Sequence, residues 1–509
     1  MRLVLLFALT TAALYSCLLP LWEGFDEPFH YAYVESLAAG RLPILQHTRI
    51  PSELRESLKL TPVGPILHRS LPGSIVYSDW FALPPEERFA RRNALESLRS
   101  KAAAQPSDLI NYEAQQAPLA YALLVPLELL ISSMSLPQRI LVIRLFAAGM
   151  STLLLFAASR WLAQTLGLEG PLRLLALVCV FESQMLWGSI AHVTNDWLAI
   201  PLVVTFAACL ASLVRTRSSQ KIIALGFLLA AGLLTKAYFL GFVPVFLAVL
   251  LYKRVCSTIP FRSRLFAGGI PVLVAGPWYL RNLRLYGNIS GIQEITRGVT
   301  FLQAFHAFFH INWISGIIDL ARWSLWTGNW SFVAFSRNTV NIELLLLAVS
   351  FCLLLVRFRQ IAISELWIFF TIASFTFALV YYTCVAWVDT GGLAQAAEPW
   401  YPQAIMPAIW ILACLGLERN GRVGRLVAGV LCVVSAWIAA LTYLAKLFPL
   451  YGGYQVRATL PEMWKWWTGN PSALLSTTAL APPSVLYALL IGFLALLVAL
   501  NAAILKKLV

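Results

Sequence analysis

Apolar runs recur along almost the whole chain, broken by short segments in which Lys and Arg collect. Each run is roughly 18–22 residues, the length of a helix that crosses the hydrocarbon core of a bilayer. The pattern predicts spans at 3–20, 139–159, 172–190 and 196–214, then a short pair around 222–252. Further spans are predicted at 265–280, 341–357, 364–383, 401–417, 423–443 and 483–505. The expected fold is therefore an all-α polytopic membrane protein with about 12 transmembrane helices.

The basic segments orient it. They are Arg160 to Arg173, "RTRSSQK" (215–221), "KRVCSTIPFRSR" (253–264), "RFRQ" (357–360), "ERNGR" (418–422) and Lys506-Lys507. If all lie inside, an even number of spans separates neighbours, as the pattern allows. The stretch "APLAYALLVPLELLISSMS" (117–135) would break that parity as a full span. It begins next to a proline and contains Pro126 and Glu128, so it reads as an interfacial or re-entrant segment. Both termini then face inside, and outer loops cover 21–138, 282–340, 384–400 and 445–482. All six histidines and all six aspartates fall in or beside outward-facing segments.

Composition agrees: 59% of residues are hydrophobic and 12% charged, too apolar for a soluble globular protein. The net charge of +14 reflects the basic inner loops, and no basic tail or motif points to nucleic acid. The eight cysteines form no C-x-x-C pair and fall mostly in apolar runs, as small core residues rather than disulfides or a zinc site. "LYSC" (14–17) has a faint look of a lipoprotein cleavage box, but a membrane-spanning start fits the apolar chain better.

The first outer loop opens with "WEGFDEPFHYAYVESLAAGRLP" (22–43). Pro28 suits a first helical turn, the periodicity runs to Ala39, and Gly40 and Pro43 stop it. This predicts a short amphipathic helix on the membrane surface, with Asp26 and Glu27 at its N-terminus. The macrodipole there favours an ionised carboxylate, which a general base requires. His30, one turn after Asp26, could orient a carboxylate or share a metal. A capping acid with solvated charges explains the same spacing.

An acidic pair after the first span, followed by aromatics and "GRLP", resembles the first outer loop of GT-C glycosyltransferases. These include the dolichyl-phosphate-mannose protein mannosyltransferases and the bacterial aminoarabinose transferases. "NYEAQQAPLAYAL" (111–123), "HVTNDWLA" (192–199), "GLLTKAYFLGFVP" (232–244), "GPWYLRNLRLYGN" (276–288) and "EPWYPQAIMPA" (398–408) resemble further family segments in the same order. Trp400 departs from the pattern, standing where an Arg often precedes the Tyr.

The resemblance implies a GT-C-like transmembrane catalytic region over 1–417 and C-terminal helices over 418–509. It implies a glycosyltransferase in the cytoplasmic (inner) membrane, with its active site on the extracytoplasmic face. The donor would be a polyprenyl-phosphate-linked sugar, and the acceptor a lipid, glycan or protein. The acceptor would attack the anomeric carbon in one inverting displacement, with Asp26 as base and Glu27 in reserve. Tyr401 would come from the late segment.

Other candidates rest on residue chemistry. Tyr112 and Gln116, beside Glu113 and Gln115, could hydrogen-bond a sugar; a solvated loop accounts for them nearly as well. Lys236 and Arg281 are charges where apolar residues would be cheaper, so they are candidates for a phosphate, against a reading as snorkelling side chains. Asp196 could hold the acceptor, a metal or Lys236, or cap a helix. The sequence leaves metal dependence open and names no cofactor; Asp26, Glu27 and Asp196 could assemble a divalent site. "HAFFH" (306–310) has metal-ligand spacing but fits an interfacial aromatic helix better. A flippase would show internal repeats, which are absent. An O-antigen-type ligase or polymerase would place its key residues in a late loop.

Overall fold

The chain is described here from a computed structural model, over residues 1–99, 106–291, 298–327, 335, 337–454, 460–469 and 471–508. It is an all-α, multi-pass membrane protein. Every position read as a span carries a helix. These are Arg2–Leu18, Leu136–Thr165, the pair Gly170–Glu182 and Gln184–Ile190, Asp196–Thr216 and Ser219–Leu233. Then come Ala237–Phe242 running into Val243–Leu251, Phe261–Tyr286, Arg337–Val356, Ile363–Asp389, Met406–Arg419, Gly421–Leu441 and Pro483–Leu508. Among the described residues, six helices are long and apolar enough to cross a membrane, seven counting the pair bent by 56° at Ser183. The remaining segments are shorter or more polar; Phe261–Tyr286 carries Arg262, Arg264, Arg281 and Arg284.

Asp196–Thr216 is the central helix, buried along almost its whole length. It packs against Leu136–Thr165, Ser219–Leu233 and Ile363–Asp389. Pro483–Leu508 packs along Arg2–Leu18, so helices from both ends of the chain share one core. The basic turns gather at one end of the bundle. There Arg215 donates to the Thr165 carbonyl, Arg419 forms a two-pronged pair with Glu365 (2.7 and 2.9 Å), and Asn420 donates to the Leu353 carbonyl (2.9 Å).

The long loop between Arg2–Leu18 and Leu136–Thr165 lies at the other end. It holds short helices and two small sheets: Arg49–Pro51 antiparallel to Pro106–Ile110, and Pro62–Val63 parallel to Ile75–Val76. The stretch at 117–135 forms two short helices, Leu119–Ala122 and Val125–Leu130, ending on Leu130, which is 81% exposed.

The first-loop helix is Glu27–Ala38, with Pro28 in its first turn and Gly40 at φ 71° beyond its end. It does not lie on a surface, as its amphipathic pattern suggested. Nine of its twelve residues are buried, because Arg139 and Arg144 rise from Leu136–Thr165 to meet its acidic and phenolic side chains. In the "HAFFH" stretch the His310 ring turns back to the His306 carbonyl (2.9 Å), while Phe301, Leu302, Phe305 and Phe309 are exposed. That is the pattern of an interfacial helix.

Candidate active site

The Trp22–Asp26 turn is held by a close approach. A Cβ at Gly24 would fall 2.5 Å from the His192 side chain, so only glycine fits. Two residues on, Asp26 adopts a left-handed backbone (φ 56°, ψ 13°). That conformation costs roughly 1–2 kcal/mol for an L-residue and is best tolerated by Asp and Asn. It has a visible consequence: the carboxylate does not cap the helix it precedes. Instead it accepts a short hydrogen bond from the Tyr112 hydroxyl, and it lines a cavity.

Tyr112 is placed from below by Asn111. The Asn111 side chain donates to the Phe29 carbonyl (3.0 Å) and accepts from the Glu113 N–H (2.9 Å), locking "NYE" to the loop helix. The Tyr112 and Phe29 rings meet at 4.0 Å. Gln116 is held at both ends. Its carbonyl accepts from the Tyr33 hydroxyl (2.8 Å) and its side-chain oxygen from Asn195 (3.1 Å).

From the opposite wall, Asp196 opens the central helix and pairs with Lys236 at 2.7 Å. Lys236 sits in the extended break between Ser219–Leu233 and Ala237–Phe242. Its ammonium lies 5.4 Å from the ring centres of both Tyr238 and Tyr401, a cation–π arrangement that helps hold a charge in a partly apolar wall.

Two spaces meet here. The larger, about 630 Å³, is lined by aromatic and apolar side chains including Trp278, Tyr279, Phe377, Tyr381 and Tyr382. Phe377, on its wall, is 75% exposed on the bundle's flank. The smaller is a polar chamber of about 50 Å³ lined by His30, Ser189, His192, Thr194 and Asp196, among others. Asp26, Glu113, Gln116, Lys236, Trp400 and Tyr401 line both. Trp400 also covers Phe25, ring centres 4.6 Å apart.

Burial dominates the electrostatics. It raises Asp26 to about 6, although the Tyr112 hydrogen bond and the Lys236 charge pull it down. Burial, aided by the Lys236 charge, holds His30 well below its usual range, and burial pushes His192 down to about 4, so both rings are neutral near pH 7. His30 Nδ1 is 2.7 Å from the Tyr121 hydroxyl and 3.8 Å from Glu113.

The structure thus brings together Asp26, His30, Tyr112, Gln116, Asp196, Lys236 and Tyr401. It places Glu27 elsewhere. That side chain is fully buried behind the cavity, clamped by Arg144 (Nε to Oε1 2.6 Å, with a second short bond from Nη2) and by the Val193 N–H (3.0 Å). Arg281 lies outside the lining: it donates to the Pro43 carbonyl (2.7 Å) and covers Trp278, which does line the larger cavity. With Glu27 on Arg144 and Asp196 on Lys236, the donor atoms that gather around Asp26 are those of His30 and Glu113, all within 4.8 Å. These three could hold a divalent ion. His192 and Trp400 were not singled out from sequence as site residues. His192 stands one turn before Asp196 in the same segment, which was the available signal.

No family model matches the chain, and neither does any curated protein. Among solved structures it is similar to ArnT from Cupriavidus metallidurans, crystallised with undecaprenyl phosphate, at 15% identity and a TM-score of 0.41. That alignment covers 88% of this chain and 75% of ArnT.

Proposed function

We propose that this chain is a GT-C-type glycosyltransferase that moves a sugar from a polyprenyl-phosphate donor to an acceptor at the extracytoplasmic face of the cytoplasmic membrane. One observation carries the reading: Asp26 stands where an aromatic cavity meets a small polar chamber. A donor with an isoprenoid tail and a sugar head needs such a junction. The tail lies along Trp278, Tyr279, Phe377 and Tyr381, and the sugar edge enters the chamber.

In the reaction, the acceptor hydroxyl or amine attacks the anomeric carbon from the side opposite the phosphate. The anomeric C–O bond breaks and its electron pair leaves on the phosphate oxygen, so the anomeric centre inverts. The acceptor's proton passes to the Asp26 carboxylate. Lys236, held by Asp196 and framed by Tyr238 and Tyr401, meets the charge that develops on the phosphate. Gln116, fixed by Asn195, offers its amide to the sugar. Asp26, His30 and Glu113 are the residues that would hold a divalent ion, which would help neutralise the same phosphate. The sidedness rests on the basic turns, which gather at the end opposite this site and by the positive-inside bias face the cytoplasm.

The test is transfer of radiolabelled sugar from a panel of polyprenyl-phosphate donors in membranes containing wild-type protein or Asp26→Asn at matched amounts. Transfer by the wild type, lost in the variant while donor binding persists, is the expected result. Equal transfer by both would remove Asp26 from the chemistry, and none by the wild type would overturn the reading.

A further inference from the structure

His192 lines the polar chamber, and its two nitrogens are in different situations. Nε2 lies 3.1 Å from the Phe25 carbonyl oxygen. A carbonyl only accepts, so Nε2 carries the hydrogen, and in the neutral ring Nδ1 is then a bare acceptor. Nδ1 is buried and has no hydrogen-bond partner among the described residues. The residue is 2% exposed, and an unpaired polar atom at that depth costs free energy unless something fills it.

The direction of that atom follows from Gly24. A Cβ there would strike His192 at Cβ, Cγ and Cδ2. The 24–25 backbone therefore runs along the Cδ2–Nε2 edge, and the Nδ1–Cε1 edge is the one turned away from it. Three of the chamber's other polar side chains are paired: His30 Nδ1 with Tyr121, Asp196 with Lys236, and Gln116 with Asn195. A space of about 50 Å³ holds a few water-sized groups. That is room for a substituent of a sugar.

We propose that His192 is a specificity-determining residue whose Nδ1 accepts a hydrogen bond from one hydroxyl or N–H substituent of the transferred sugar as it enters this chamber. The assignment rests on the glycosyltransferase reading above and deepens it. The chamber is lined by Asp26, Glu113, Asp196 and His192, against the single Lys236 ammonium. Such a lining favours a substituent that donates. A donor sugar lacking it would leave Nδ1 unpaired in the bound state, which costs the enzyme selectivity rather than structure.

The experiment takes the full-length protein in membranes and ranks polyprenyl-phosphate-linked hexoses and pentoses. It then measures kcat/KM for the mono-deoxy derivatives of the best one. Two variants separate the nitrogens. In His192→Asn the amide oxygen can stand near the Nδ1 position while the Phe25 bond is lost. In His192→Gln the amide N–H can keep the Phe25 bond while the Nδ1 acceptor is lost. The expected result is one deoxy derivative used about 10- to 100-fold less well than its parent by the wild type. His192→Asn should keep that preference and His192→Gln should erase it. A preference that survives in both variants, or disappears equally from both, would overturn the assignment while leaving the transferase reading intact. Wild-type protein that uses no donor at all would overturn both.

Discussion

The first-loop helix separates two sets of buried charge that look alike in sequence and differ in their surroundings. On one side Asp26, His30 and Glu113 stand at a cavity with Asp196 and Lys236 across from them. On the other, two arginines of Leu136–Thr165 are wrapped in protein. Arg139 donates to Tyr31 (2.6 Å), Glu35 (3.0 Å) and Glu128 (2.8 Å), and it also pairs with Glu53. Arg144 holds Glu27 and the Leu19 and Pro20 carbonyls (2.6 and 2.9 Å). Adjacent residues thus have opposite surroundings. Asp26 faces empty space at the expense of a left-handed backbone, whereas Glu27 has no space left around it. A buried ion pair enclosed by protein fixes the chain, and a buried charge at a cavity is available for chemistry.

Asp26→Asn should have the largest effect on turnover. Loss of a positioned base lowers transfer by about 10²- to 10⁴-fold, read as initial rates at matched protein. Arg144→Ala should act on the other set. It leaves Glu27 buried and unpaired, a cost of about 3–5 kcal/mol, and should appear as less folded protein in detergent and a lower melting temperature. Should Arg144→Ala instead fold normally and lose only turnover, the division between the two sets would fail. Lys236 is best removed together with its partner, as Lys236→Met with Asp196→Asn, so that no lone carboxylate remains. The pair should lose about 10²-fold in kcat with smaller change in the apparent affinity for donor.

The smallest effect is a pH shift. Only ionised Asp26 accepts a proton, so activity should rise as pH increases through about 6, where burial has placed this group. The Tyr112 hydroxyl stabilises the ionised form, so Tyr112→Phe should move that rising limb to higher pH. An unmoved limb would mean that another group sets it.

Much of this was legible in the chain. Apolar run lengths located the helices, of which six, or seven with the bent pair, are long and apolar enough to cross a membrane among the described residues. The proline-bearing stretch at 117–135 forms two short helices in place of a full span. The stop at Gly40 fell where the helix ends. Local pattern does not report what packs on a helix, and so the loop helix was expected on a surface. Its burial depends on Arg139 and Arg144, more than a hundred residues away, charges inside the predicted 139–159 span whose partners local pattern does not name. The same limit applies to Glu27 and Arg281, whose partners are Arg144, Val193 and the Pro43 carbonyl. It also hid His192, since an orphan ring nitrogen is a fact of three dimensions.

The division between Asp26 and Glu27 is tested most directly by measuring transfer per folded molecule for Asp26→Asn and Glu27→Gln side by side, with the folded fraction taken from size-exclusion profiles. The account predicts that Asp26→Asn folds normally and does not turn over, while Glu27→Gln lowers the folded fraction and leaves turnover per folded molecule near wild type. The reverse pattern, turnover lost with Glu27 and kept without Asp26, would contradict it.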